Sequence, residues 1–230
     1  MPILDDWDIE ITLDQVLRGQ GADPQMIRER SPKIVEAAEW ALSEGLGLIQ
    51  PRVLYESYEI EELRHEKLRL KNGSELSGRL IAEHLGPASS VVIVLCTIGG
   101  ELESRSNEVS SEDLVLGLAL DGLGSAAVEV LANASCYFFE TQASSLNQST
   151  SIPLSPGMLE WSVEVGQPEI FDLLDSTKID VSLTESMLMI PRKSLTFILG
   201  MGEQILELGT SCDYCSLRET CRYQDHYAEA

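Results

Sequence analysis

The amino-acid sequence predicts an α+β fold, on three observations. The run Val91-Val92-Ile93-Val94-Leu95 is continuous, apolar and β-branched, as a strand buried on both faces requires. Residues 111–145 carry apolar side chains at helical spacing over a length no strand reaches. Strands and helices succeed one another without a repeated βαβ alternation.

From the N-terminus, Thr12-Leu13-Asp14-Gln15 has capping-box spacing, and Gly19 and Gly21 then punctuate the chain. Asp23-Pro24 and Ser31-Pro32 each place a capping side chain before a proline at a first helical position. The second opens a helix with Ile34, Val35, Ala38, Ala41 and Leu42 on one face, ending near Gly45 and Gly47. A strand region with mixed alternation holds Val53, Tyr55, Tyr58 and Ile60. Leu68 and Leu70 alternate with charge, and Asn72-Gly73 signals a hairpin. Helical spacing is then expected from Leu76 to Leu85. His84 is placed on that helix's surface or C-terminal turn, and His65 on the surface.

Thr97-Ile98-Gly99-Gly100 reads as a strand-to-helix turn, with neither nucleotide fingerprint present. The long helix starts near Asp113. Its interior Gly117, Gly122 and Gly124 are costly there and imply close backbone packing or a kink. The stretch Ser151-Ile152-Pro153-Leu154-Ser155-Pro156-Gly157-Met158-Leu159-Glu160-Trp161 is too rich in proline, serine and glycine for helix or central strand, so it forms a stiff loop. A short helix over Pro168–Leu174, β-rich stretches at 181–191 and 194–199, and Gly200 and Gly202 complete the pattern. The reading divides the chain into N-terminal helices and hairpin (1–90), a core (91–205) sharing the same fold, and a cysteine-rich tail (206–230).

Lys and Arg number 16 against 38 Asp and Glu, a formal charge of -22. Phosphate backbones and anionic membranes are repelled, so neither nucleic acid nor membrane is an expected partner. The N-terminus MPILDDWDIE lacks the basic-then-apolar layout of a secretion signal, and a cytoplasmic location is the expectation. Cys96 and Cys136 sit in apolar contexts and read as small core residues. Cys212, Cys215, Cys221 and His226 form C-x2-C-x5-C-x4-H. Three thiolates and an imidazole suit a tetrahedral zinc site, the thiolates alone suit an iron–sulfur cluster, and unligated or redox-active thiols are the third reading.

Four blocks resemble the activation (reactivation) domain of cobalamin-dependent methionine synthase, in particular its stand-alone form with a C-terminal cysteine cluster. They are Thr97-Ile98-Gly99, Gly124 to Glu129, Ser155-Pro156-Gly157 with Glu160-Trp161, and Leu183 to Ser194. The resemblance implies a twisted antiparallel sheet with flanking helices and binding of S-adenosylmethionine. It implies a role in methionine biosynthesis, assisting reactivation of cobalamin on a partner, a corrinoid-binding methyltransferase or methionine synthase module. By the same resemblance the ligand residues are Glu129, Pro153, Ser155, Pro156, Gly157, Met158, Glu185 and Ser186. Two of these depart from the family's loop. Pro153 replaces an arginine able to grip a carboxylate with two hydrogen bonds, and Met158 replaces a tyrosine. An acidic flavodoxin-type electron donor would meet a surface of its own sign. The alternative is a non-enzymatic metal-containing binding or scaffold module on the same fold. No nucleophile–base constellation supports an independent methyltransferase.

Overall fold

A computed structural model of the chain describes residues 1–206 and 209–219. Its architecture is α+β, a curled antiparallel sheet with helices on both faces. The sheet is built around β5 (Ser90–Thr97), which pairs along its whole length with β2 (Arg52–Arg64) on one side and β9 (Ser194–Gly202) on the other. Beyond β2 lie β3 (Lys67–Leu70) and β4 (Glu75–Ser77); beyond β9 lies β6 (Ser149–Thr150). The short β1 (Ile3–Leu4) also pairs with β2. Two further two-residue strands, β7 (Ser182–Leu183) and β8 (Met189–Ile190), form a separate hairpin.

The unbroken apolar run of β5 has a simple cause. Successive strand side chains point to opposite faces. Val92, Val94 and Cys96 enter one core, shared with α1 (Leu13–Gly19), α3 (Pro32–Gly45) and α6 (Leu114–Ser145). Val91, Ile93 and Leu95 enter a second, shared with α4 (Arg79–Leu85) and α7 (Val163–Leu173). The helices α2 (Pro24–Arg30) and α5 (Glu101–Ser110) complete the set.

The caps behave as their residues require. Thr12 and Gln15 close the capping box of α1, Asp23 caps α2, and Asp113 Oδ1 accepts from Val115 and Leu116 N–H at 2.9 and 3.2 Å to start α6. Two boundaries differ from expectation. Leu76 lies on β4, because Gly78 (φ 145°) breaks the chain before α4 begins at Arg79. The helix assigned to Pro168 starts five residues earlier, at Val163, and Pro168 sits inside it. His84 is in the last turn of α4 as expected, but is buried rather than superficial. By length and composition α6 is apolar enough to cross a bilayer; more than half of its most apolar window is buried within the fold, as in the core helix of a globular protein.

The glycines of α6 are contact points. A Cβ on Gly19 would lie 2.1 Å from the Gly122 carbonyl oxygen, and one on Gly122 would lie 3.0 Å from the Val16 carbonyl oxygen. Backbone meets backbone where α1 crosses α6, and neither helix can yield without moving. Gly19→Ala is therefore expected to cost about 1–3 kcal/mol through overpacking, read as a lower urea midpoint; an unchanged midpoint would contradict this packing.

Candidate functional site

The stiff loop is anchored at both ends. At its start Ser151 Oγ accepts from Gly200 N–H at 2.9 Å, and Leu154 exchanges backbone hydrogen bonds with Ile198 on β9. At its end Trp161 is 1% exposed and donates through Nε1 to Glu169 Oε2 at 3.3 Å. Burial pushes the Glu169 carboxyl above its ordinary range, opposed by the donors Ser77 N–H and Trp161. Gly166 makes room: a Cβ there would lie 2.6 Å from the Trp161 ring and 2.9 Å from Pro156. Between the anchors Gly157 takes φ 101°, a conformation side chains resist, and donates to the Trp161 carbonyl at 2.8 Å. Met158 turns back so that Sδ accepts from Ser155 N–H.

This loop is one wall of a cleft of about 870 Å³, within the range of small-molecule sites. Ser155, Pro156, Gly157 and Met158 face it. The opposite wall is α6, through Ser125, Val128 and Glu129; Arg192 and Lys193, just before β9, and Ser194 at its start add to the lining. Gly19 to Gly21, at the end of α1, close one end. Arg192 is tied outward, since its backbone N–H and its guanidinium both bond Glu103 on α5. Lys193 is turned inward: Nζ donates to Ser125 Oγ at 2.9 Å and pairs with Asp121 Oδ1 at 2.9 Å. Ser194 Oγ donates to Thr97 Oγ1 at 2.9 Å, tying the last residue of β5 to the start of β9 beside the cleft.

The remaining wall is the tail. Ser211 Oγ donates to the Pro153 carbonyl at 3.3 Å, Leu159 N–H to the Tyr214 carbonyl at 2.8 Å, and Ser216 Oγ to the Gly157 carbonyl at 3.1 Å. Cys215 bridges Met158 through the backbone. Cys212 and Cys215 both line the cleft, as free thiols. Among the described residues no three His, Cys, Asp or Glu side chains assemble as a metal site. Cys221 and His226 lie outside the described residues. The ring of Tyr214 stands edge-on to His84 with centroids 4.5 Å apart.

Five of the residues expected from the sequence therefore share one cleft: Glu129, Ser155, Pro156, Gly157 and Met158. Pro153 is set back and serves the tail through its carbonyl. Glu185 and Ser186 lie on the exposed β7–β8 turn and do not line the cleft; only the end of their block, from Arg192, reaches it. Cys96 and Cys136 are core thiols as expected, with burial pushing the Cys96 thiol up to about 12. Sequence reasoning passes over Lys193, Ser125 and the tail wall as site residues. The signal for Lys193 is the helix glycine: a Cβ on Gly124 would stand 3.1 Å from Lys193 Cγ.

The geometry defines an α+β domain with a cleft between a central helix and a rigid loop. No protein-family model and no curated protein matches the chain. Among solved structures it is similar to the crystal structure of the MetH reactivation domain bound to AdoHcy. The TM-score is 0.68 and the identity 12%, over 93% of this chain and 83% of the other. The two share a fold.

The His84–Tyr214 contact generates a pH prediction. His84 is 3% exposed, its Nε2 has no hydrogen-bond partner among the described residues, and burial lowers its pKa below 6.5, with Glu83 opposing. A base with a depressed folded pKa binds fewer protons folded than unfolded. Its neutral form's stability is full above about pH 6.5 and is lost as pH falls through the folded value. His84→Phe keeps the ring contact and removes the titration. Urea titrations between pH 7.5 and 5 are expected to show a shallower loss for the variant; parallel curves would rule out His84 as a contributor.

Proposed function

We propose that this protein binds an S-adenosyl ligand in the cleft between α6 and the Ser155–Met158 loop. In this reading it assists the reactivation of a corrinoid methyltransferase or a methionine synthase module. The observation that carries the proposal is convergence. Three sequence blocks separated by tens of residues, Gly124–Glu129, Ser155–Gly157 and the end of Leu183–Ser194, contribute walls to one cleft. The fourth braces it through Thr97. They do so on a fold shared with a domain solved with AdoHcy.

The chemistry of the walls suits such a ligand. Val128, Pro156 and Met158 offer apolar surface for an adenine ring, and the Met158 thioether is polarizable. The Glu129 carboxylate can accept hydrogen bonds from ribose hydroxyls or an α-ammonium. The protein's part is to hold the methyl donor and shield it; the methyl passes from the sulfonium to the cobalt of a corrinoid on the partner, which an external one-electron donor has first reduced from Co(II) to Co(I), and AdoHcy is the leaving group. No nucleophile of this chain is needed.

Calorimetric titration of the full chain with AdoHcy and S-adenosylmethionine tests the reading. Saturable binding of one ligand per chain is expected. Gly157→Val is expected to weaken it, and to lower stability by about 1–3 kcal/mol, because the loop needs a positive φ there. No heat at millimolar ligand, with the protein folded by circular dichroism, would end the proposal.

A further inference from the structure

An S-adenosyl ligand carries a carboxylate at its amino-acid end, and burying that charge requires a cation or several donors. The loop supplies no cation: Pro153 has none and is set back from the cleft. Among the described lining residues the cationic side chains are Arg192 and Lys193. Arg192 is 55% exposed and its guanidinium bonds Glu103 on α5. Lys193 is 15% exposed and lies against α6, its stem in the slot that Gly124 leaves open. Its backbone is fixed as well, since its carbonyl accepts from Ile98 N–H at 3.2 Å. An ammonium has three donors. Among the described residues one is used, on Ser125 Oγ at 2.9 Å, while Asp121 Oδ1 pairs with the charge at 2.9 Å; the two contacts aim the group and leave donor capacity for a ligand.

We propose that Lys193 is the residue that recognises the carboxylate of the S-adenosyl ligand, with Asp121 and Ser125 positioning its ammonium. The inference rests on the cleft being an S-adenosyl site and names the group that makes it selective. It restricts the ligand class to adenosyl thioethers or sulfoniums that keep an α-carboxylate. Asp121 offsets part of the lysine's charge, so the gain is that of one charge-assisted hydrogen bond.

The test compares ligands that differ at the carboxylate alone. S-adenosylmethionine and decarboxylated S-adenosylmethionine are titrated into the full chain and into Lys193→Met, with 5′-methylthioadenosine as a ligand lacking the whole amino-acid end. In the unaltered protein S-adenosylmethionine is expected to bind about tenfold more tightly than its decarboxylated form. In Lys193→Met that ratio is expected to fall to near one, while 5′-methylthioadenosine binds both proteins equally. A ratio near one in the unaltered protein overturns the inference without needing the variant. So does a ratio that persists in Lys193→Met. If none of the three ligands binds the unaltered protein, the reading of the cleft itself fails and this inference fails with it.

Discussion

The structure depends on β5 being buried on both faces. A strand of eight residues with alternate side chains in two separate cores needs a cover on each side and a partner on each edge. The partners are β2 and β9, each in antiparallel register from one end to the other. The covers are α6 with α1 and α3 on one face, and α4 with α7 on the other. Because β9 is hydrogen-bonded along the whole of β5, the residues just before it are held at a fixed height beside α6. The Ser194–Thr97 hydroxyl contact pins that corner. The cleft is the space left between α6, on one face, and the loop that crosses the end of the sheet.

Glycine sets how closely the parts approach. Gly122 lets α1 sit against α6, so the end of α1 closes the cleft. Gly124, two residues on, opens the slot for Lys193. Gly166 admits Trp161, which fixes the far end of the loop. Each position exchanges a loss of helix propensity of about 1 kcal/mol for a close contact, one that a Cβ would obstruct at Gly122 and Gly166 and would tighten against the Lys193 stem at Gly124. In α6 that exchange turns an apolar core helix into a shaped wall.

Much of this was legible in the sequence, and the reason differs by element. The buried strand, the hairpin at Asn72-Gly73 and the capped helix starts depend on near neighbours, and period and turn chemistry report neighbours directly. The loop residues Ser155 to Met158 and Glu129 are recognisable as members of separate blocks, and the fold brings them together. Glu185 and Ser186 belong to their block as fully as Lys193 does, but the chain turns away at β7–β8 before returning at Arg192. Membership of a motif does not encode which end of it faces inward. The tail wall was illegible for a related reason. Read as a spacing, C-x2-C points to metal chemistry. In the structure Cys212 and Cys215 meet the cleft because Ser211, Tyr214 and Ser216 bond the loop backbone, and serines and a tyrosine carry no such instruction by themselves.

The net charge of -22 bears on selectivity less than its size suggests. S-adenosylmethionine carries one positive charge more than its demethylated product, so an acidic protein favours the methyl donor in principle. An exposed carboxylate, however, acts only within the roughly 8 Å over which physiological salt leaves it unscreened. Surface acidity then acts on the encounter, and on which partner surfaces are tolerated. Discrimination inside the cleft falls to the few charges that line it. Glu129 favours a cationic ligand, and Lys193, partly neutralised by Asp121, favours a carboxylate. On the proposed reading, a ligand carrying both charges at once suits both walls. The pairing of Lys193 with Asp121 lowers the net positive charge at that wall.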